Sequence, residues 1–242
     1  MNKVEKSLFL KSVSRIRVMT GMGLFCATIF FSAYSIADDK QPLEITADTA
    51  LEWNQTDKTY IARGNAIAKQ GDILVKANTL TATYAGKDGK TSDITMLTAD
   101  GNVTLSTATE TATGDKAVYD LVTGKATLSG VRPKMIQNNK NSIEANSLIV
   151  WTKDNTLDRA EAIGNVIIIS GEQTATGDKA TYTVATTIAE IIGNAKVKQD
   201  NNWLQGDRAE MNMTTRISKM TGQSGAGRVK GVFYTGTQNK DK

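Results

Sequence analysis

Histidine is absent from this sequence, and cysteine occurs once, at Cys26. Without histidine there is no Ser-His or Cys-His pair and no side chain that titrates unassisted near neutrality. A single cysteine leaves no intrachain disulfide, and the usual zinc ligand sets are missing with it. Cys26 lies in an apolar run and follows Phe25, where a lipoprotein signal needs a small residue, so lipidation is not expected. No glycine loop ending in Lys-Ser/Thr is present, which removes nucleotide hydrolysis. No catalytic residue, metal ligand or cofactor is therefore assigned, and any driving force must come from a partner. Proline is confined to Pro42 and Pro133, and aromatic residues make up only 6% of the chain. Few aromatics beside abundant Thr, Ala, Gly and Asn favour many short strands over bulky helices.

An excess of charge is also missing once the N-terminus is set aside. Lys3, Lys6, Lys11, Arg15 and Arg17 precede an apolar run from Val18 to Ile36, and Ser35-Ile36-Ala37 supplies the small residues that a signal peptidase reads. The expectation is a cleavable export signal over residues 1–37, cut after Ala37. The competing reading is an uncleaved anchor, because the run approaches the ~20 residues that span a bilayer, although Thr20, Gly21, Gly23, Thr28 and Ser32 dilute it. The segment carries five basic residues and one acid, so the net charge of +4 falls to zero without it. A neutral mature chain lacks the Lys/Arg excess that nucleic-acid binding draws on, and nucleic acid is not expected as a partner.

Internal repetition dominates the remainder. A corner motif recurs: a small residue, then Asp or Asn, then any residue, then Ala or Leu. It reads Ala47-Asp48-Thr49-Ala50, Ala77-Asn78-Thr79-Leu80, Gly114-Asp115-Lys116-Ala117, Ala145-Asn146-Ser147-Leu148, Gly177-Asp178-Lys179-Ala180 and Gly206-Asp207-Arg208-Ala209, at spacings of 30, 37, 31, 32 and 29 residues. Between corners sits a glycine opening a strand-like stretch: Gly64-Asn65-Ala66, Gly101-Asn102-Val103, Gly130-Val131, Gly164-Asn165-Val166 and Gly193-Asn194-Ala195. Gly and Asn suit tight turns, and Asp57-Lys58, Asp88-Gly89 and Thr123-Gly124 read as hairpin tips. Pro42 is placed at the opening of the first strand. A fixed period of this kind makes each unit a neighbour-stacked pair of strands. The chain is accordingly expected to be all-β, an elongated stack of about six tandem repeats forming one domain over residues 38–236, with a polar tail at 237–242.

Alternation with period two places one apolar set on a common inner face. That set is Ile45, Val75, Leu80, Tyr84, Val103, Leu105, Tyr119, Ile143, Leu148, Val150, Val166, Ile168, Tyr182, Val197 and Met211. On periodicity alone the favoured reading of the set is an ordinary packed core with no cavity. Ala47, Ala77, Ala82, Ala117 and Ala180 share the inner face and leave room beside the larger side chains.

The residues Pro42-Leu43-Glu44-Ile45-Thr46-Ala47-Asp48, Leu51-Glu52-Trp53, Ala62-Arg63-Gly64-Asn65-Ala66 and Val75-Lys76-Ala77-Asn78-Thr79-Leu80, with recurrence of both motifs to about Asn212, resemble the OstA-like family of lipopolysaccharide-transport proteins. The resemblance implies a twisted, half-open β-jelly roll, or β-taco, that carries lipopolysaccharide through the periplasm from an inner-membrane LptC-like partner to an outer-membrane LptD-like partner. It further implies a head-to-tail homo-oligomer joined by terminal edge strands, here Leu43 and Ile45 at one end and Val229, Val232 and Phe233 at the other. The inner apolar set then becomes a cleft for the acyl chains of lipid A.

Other readings stand beside it. Asp48, Asp115, Asp178 and Asp207 invite comparison with paired catalytic acids or calcium ligands, but Asn fills the equivalent corners at 78 and 146, so hydrogen bonding to turn backbone is the expected role. Trp53 and Trp151 lie at similar distances after their corners, whereas Trp203 precedes its own, so no single face is implied and all three are read as packing residues rather than a sugar platform. An anchored LptC-like member of the same pathway, or a β-solenoid acting as adhesin, scaffold or polysaccharide lyase, are the alternatives to a carrier.

Overall fold

The computed structural model describes residues 43–85, 94–138, 140–153, 156–212, 214–215, 217–222 and 227–234. The signal segment, Pro42, the Asp88-Gly89 tip and the tail at 237–242 lie outside the described residues. The strands, in chain order, are β1 (Glu44–Thr46), β2 (Ala50–Asn54), β3 (Thr59–Gln70), β4 (Ile73–Tyr84), β5 (Ile94–Ser106) and β6 (Glu110–Asp120). There follow β7 (Lys125–Ser129), β8 (Lys134–Gln137), β9 (Asn141–Glu144), β10 (Ser147–Lys153), β11 (Thr156–Ser170) and β12 (Gln173–Thr183). The last are β13 (Ile188–Ile192), β14 (Lys196–Gln199), β15 (Asn202–Gln205), β16 (Arg208–Asn212), β17 (Ile217–Thr221) and β18 (Lys230–Val232). The described residues contain no helix, and the fold is all-β as the composition implied.

All strand pairs are antiparallel, and they assemble into two arms that meet along a seam of corners. One arm runs β1, the C-terminal half of β3, the N-terminal half of β4, the C-terminal half of β5, the N-terminal half of β6, then β8, β9, the end of β11, the start of β12, β14, β15 and β18. The second arm takes β2 and the other halves of the same long strands, together with β7, β10, β13, β16 and β17. Long strands such as β3 and β12 therefore cross the seam, while pairs such as β9 and β10 are one strand interrupted there. Hairpins close both arms at the side away from the seam. The turns at Asp57-Lys58 and Thr123-Gly124 fall where the sequence placed them, with Lys58 and Gly124 at positive φ.

Two sequence readings change at the seam. Three of the four Gly-Asn dipeptides do not open strands: they sit inside long strands as two-residue bulges, with φ of 82° and 43° at Gly64-Asn65, 77° and 50° at Gly101-Asn102 and 78° and 50° at Gly164-Asn165, whereas Gly193-Asn194 lies between β13 and β14. Register slips across each of these three bulges, two residues opposing one. The corner acids and amides, expected to bond turn backbone, instead mostly accept from the bulge Asn of the next strand: Asn65 Nδ2 to Asp48 (2.8 Å), Asn102 Nδ2 to Asn78 (3.2 Å), Asn165 Nδ2 to Asn146 (3.3 Å) and Asn194 Nδ2 to Asp178 (2.9 Å). Asp115 differs for a local reason. Gly130 is followed by Val131 rather than Asn, and there the backbone N–H of Val131 donates to Asp115 at 2.8 Å. A Cβ on Gly101, Gly164 or Gly193 would collide with the side chain of Asn78, Asn146 or Asp178, so these bulges need glycine both for φ and for space.

The two corner types, Ala-[Asp/Asn] and Gly-Asp, solve one packing problem in two ways. At Ala corners the inward residue of the next arm is large and its cross-strand neighbour is Ala: Ala77 with Leu80 and Ala99, Ala145 with Leu148 and Ala162. At Gly corners the order inverts: Gly114 with Ala117 and Leu128, Gly177 with Ala180 and Ile191, Gly206 with Ala209 and Met220. A Cβ on Gly114 would approach Leu128 Cδ1 to 2.8 Å, and one on Gly206 would approach Met220 Cγ to 2.8 Å. The first corner follows the Ala pattern with one extra residue, since Ala50 pairs outward with Arg63 and Leu51 takes the inward place opposite Ala62.

This volume rule predicts that Gly177→Ala, which drives a methyl into the buried Ile191, lowers stability by about 1–3 kcal/mol. The triple change Gly177→Ala/Ala180→Leu/Ile191→Ala converts the corner to the other type and is expected to recover most of that loss. Urea unfolding midpoints measure both, and a single variant as stable as the parent would refute the rule.

Candidate functional site

Strand register sorts the inward side chains into rows that run the length of the molecule. In the second arm the row next to the seam is Leu51, Ala62, Leu80, Ala99, Ala117, Leu128, Leu148, Ala162, Ala180, Ile191, Ala209 and Met220. In the first arm the facing row is Ile45, Ala68, Val75, Leu105, Ala112, Met135, Ile143, Ile168, Ala175, Val197, Leu204 and Gly231. Neither row contains a polar side chain. They pack together above Ala66, Ala77, Val103, Ala145, Val166 and Ala195 of the seam, which are almost wholly buried.

Further from the seam the second arm carries another inward row, running through Trp53, Tyr60, Ala82, Leu97, Tyr119, Ala126, Val150, Ala160, Tyr182, Ala189 and Met211. Many of its members, Leu97, Tyr119, Val150 and Tyr182 among them, are half-buried. The interior is thus a trough with a packed floor and a partly open mouth. Toward the C-terminal end it holds a cleft, partly open to solvent and lined by Ala189, Ile191, Met211, Val197 and Leu204, with Gln173 and Gln199 among its polar members.

Fourteen of the fifteen side chains of the inner set predicted from periodicity lie on these inward rows or on the seam, and Tyr84 lies one inward position beyond Ala82 on β4. Val103, Ile143, Leu148, Val166 and Met211 are buried, and Ile45, Val75, Leu80, Tyr84, Leu105, Tyr119, Val150, Ile168, Tyr182 and Val197 are half-buried. Tyr84 joins an aromatic group with Tyr60, at 5.1 Å between ring centroids, and its hydroxyl accepts from Trp53 Nε1 at 2.9 Å. Sequence reasoning missed Leu51, Leu97, Leu128, Met135, Ile191 and Leu204, which only hairpin register connects to the rows. It also passed over inward polar side chains, Glu110, Gln137, Gln173 and Gln199, because it tracked apolar parity alone.

The ends of the trough are more complex than one edge strand each. Ile45 and Val232 lie in β1 and β18, whereas Leu43, Val229 and Phe233 flank those strands. The second arm ends separately in β2 and β17. Several of the most exposed large apolar residues gather on these terminal segments, with Leu51 64%, Trp53 60%, Ile217 65%, Phe233 55% and Tyr234 67% exposed.

The three tryptophans share no face. Trp53 is inward, Trp151 lies outside the second arm under Arg159 (4.0 Å) and Lys125 (5.6 Å), and Trp203 lies outside the first arm between Lys196 and Lys230. Apart from the inward Glu110, charged residues form cross-strand pairs on the outer faces, including Arg63–Glu52, Lys116–Asp100 and Lys179–Glu161. Exposed pairs of this kind contribute about 0–1 kcal/mol each. Glu144 is held more firmly. The hydrogen bond from Lys134, aided by the charges of Lys134 and Arg132, keeps its carboxyl below the usual carboxylate range.

Fold and trough together define a class: an open-ended, tandem-repeat β-protein with a continuous apolar interior between two sheets. Comparison with known proteins narrows it. The family described as LptA/(LptD N-terminal domain) LPS transport protein matches over residues 44–156 and again over 134–217, from the first strand to the start of β17, and the chain belongs to this family. The second, overlapping match fits the internal repetition. Among solved structures the chain is similar to LptH of Pseudomonas aeruginosa, the LptA-homologous periplasmic component of the lipopolysaccharide transport device, at 16% identity and a TM-score of 0.25, covering 80% of this chain and 96% of that one. No curated protein matches.

The grading from floor to mouth gives a direct test with one residue type. Leu148→Ala, in the buried floor, is expected to cost about 2–5 kcal/mol, and Leu97→Ala, in the half-buried mouth row, about 1 kcal/mol. Equal losses in chemical denaturation would mean that the mouth is packed as tightly as the floor.

Proposed function

We propose that this protein is a periplasmic carrier that shields the acyl chains of lipopolysaccharide along its trough and passes them between membrane complexes. The observation that carries this reading is the pair of apolar rows that run unbroken from one terminal strand to the other. Each methylene left in water costs about 0.8 kcal/mol, so a lipid with several chains needs cover at every point of its path. Rows that end only where the sheet ends supply such cover, and a half-open mouth leaves the sugar headgroup outside. Membership of the lipopolysaccharide-transport family supports the same cargo. Cleavage of residues 1–37 after Ala37 would release the mature chain into the periplasm, between an LptC-like partner at the inner membrane and an LptD-like partner at the outer membrane.

Assembly follows from the ends. β1, β2, β17 and β18 each pair on one side in the strand registers, and a free edge is a template for another chain. Addition of one copy's terminal strands to another's by β-augmentation would join the rows of successive subunits, with Leu51, Trp53, Ile217 and Phe233 covered at the junction.

Photo-crosslinking amino acids at Leu105, Tyr119 and Tyr182 should capture lipopolysaccharide in cells, whereas probes one residue away on the outer face, at Thr104, Val118 and Thr181, should capture much less. Val103 and Val166, each 1% exposed, are unsuited to such probes because they form the buried seam. Equal labelling of both parities would sink the carrier reading. Head-to-tail assembly is checked separately by sedimentation: the parent should form concentration-dependent end-to-end species, and Leu51→Lys should abolish them while leaving the unfolding midpoint within experimental spread. A parent that stays monomeric at high concentration would count against the junction.

A further inference from the structure

The first arm carries an inward row that is polar. It lies one inward position beyond the apolar row, on the side of the hairpins, and runs Glu110, Gln137, Asn141, Ser170, Gln173 and Gln199 across adjacent strands. Glu110, Gln137 and Gln173 are 4%, 5% and 9% exposed. Their amide groups are used in a one-sided way. Gln137 Nε2 donates to Glu110 Oε1 at 3.1 Å, and Gln173 Nε2 donates to Gln199 Oε1 at 2.9 Å. The carbonyl oxygens Gln137 Oε1 and Gln173 Oε1 are buried and have no hydrogen-bond partner among the described residues. For Gln137 the orientation follows from chemistry, since turning the amide over would set its carbonyl against an oxygen of Glu110.

A buried acceptor left without a donor is unfavourable, and its repetition in one row is not accounted for by packing. Gln173 and Gln199 line the cleft. Three strand spacings separate Gln137 from Gln173, about 14 Å, and the polar row stands about 7 Å from the apolar one, two residues along each strand. A chain lying on the apolar row therefore brings atoms a few bonds from its headgroup onto the polar row.

We propose that this row is a recognition site for hydrogen-bond donors at the roots of acyl chains, amide N–H and hydroxyl groups, which the two free carbonyls accept. The proposal rests on the carrier reading above and adds selectivity to it. Amide-linked, hydroxylated chains such as those of lipopolysaccharide bring donors to this depth. The ester-linked chains of a diacyl phospholipid bring only acceptors, and they leave both carbonyls unpaired.

The test replaces each polar pair as a unit, so that neither member is left facing an apolar side chain: Gln173→Leu/Gln199→Leu and Glu110→Leu/Gln137→Leu in the full mature chain. Binding of purified lipopolysaccharide and of a dioleoyl phosphatidylcholine probe is measured by displacement of a fluorescent fatty acid. Each pair variant is expected to bind lipopolysaccharide about fivefold to tenfold more weakly, the scale of one or two lost hydrogen bonds, with phosphatidylcholine binding unchanged or stronger. Unchanged lipopolysaccharide binding, or an equal fall for both lipids, overturns the proposal. Should a pair variant fail to fold, Gln173→Met/Gln199→Met, which removes the same pair with side chains of similar length, carries the same expectation and the same refutation. A parent protein that binds no lipopolysaccharide refutes the carrier reading itself, a result distinct from a parent that binds both lipids and variants that do not discriminate.

Discussion

The lock between a corner Asx side chain and the Gly-Asn bulge of the next strand is the constraint on which the rest of the molecule depends. Two consecutive residues at positive φ bend a strand sharply, and Asn is among the few side chains that tolerate that region. The corner carboxylate or amide that receives Asn65, Asn102, Asn165 or Asn194 pins the bend to its neighbour. Because each lock joins one strand to the next, the corners align into a seam, and the alignment folds one antiparallel sheet into two facing arms. Without it, twelve-strand faces with apolar rows on one side would have nothing to close against.

The lock also decides which side chains meet. On bulge-bearing strands the inward parity is the same before and after the corner, as in Ala62 and Ala66 or Leu97 and Val103. On the strands that carry the Asx it flips, from Ala77 to Leu80 and from Gly177 to Ala180. A single period-two reading carried straight through β4 or β12 would put half the strand's apolar residues outside. Reading afresh from each corner avoids this, which is why the periodic set landed on inward rows along its whole length.

What the sequence left illegible has physical causes. Tyr60 and Leu97 join the mouth row only through their pairing with Ala82, and pairing is a property of two strands, not of either one. The corner partners were misjudged because Asp and Asn bond local backbone in isolated turns, and nothing in one strand announces a donor such as Asn65 arriving from the next. The compensation between Gly177 and Ile191, or Ala145 and Ala162, is visible in the letters only once register is known. Glu110, Gln137 and Gln173 follow the same alternation as the apolar residues around them, and a search restricted to apolar positions skips them.

On the carrier reading proposed above, the repeat governs how the trough would handle a bound chain. Corner volume is held nearly constant by the two Ala/Leu/Ala and Gly/Ala/large solutions, so the floor presents similar apolar surface at every strand, at steps of about 4.8 Å. Burial free energy scales with area, and a chain displaced by one step exchanges one apolar surface for another like it. Such a floor holds the chain without favouring one position, a property suited to passage rather than storage. Two features break this uniformity: the aromatic group at Trp53, Tyr60 and Tyr84 near one end, and the cleft with Gln173 and Gln199 toward the other. The two ends of the trough are therefore chemically distinct, with stacked rings at one end and hydrogen-bonding side chains at the other.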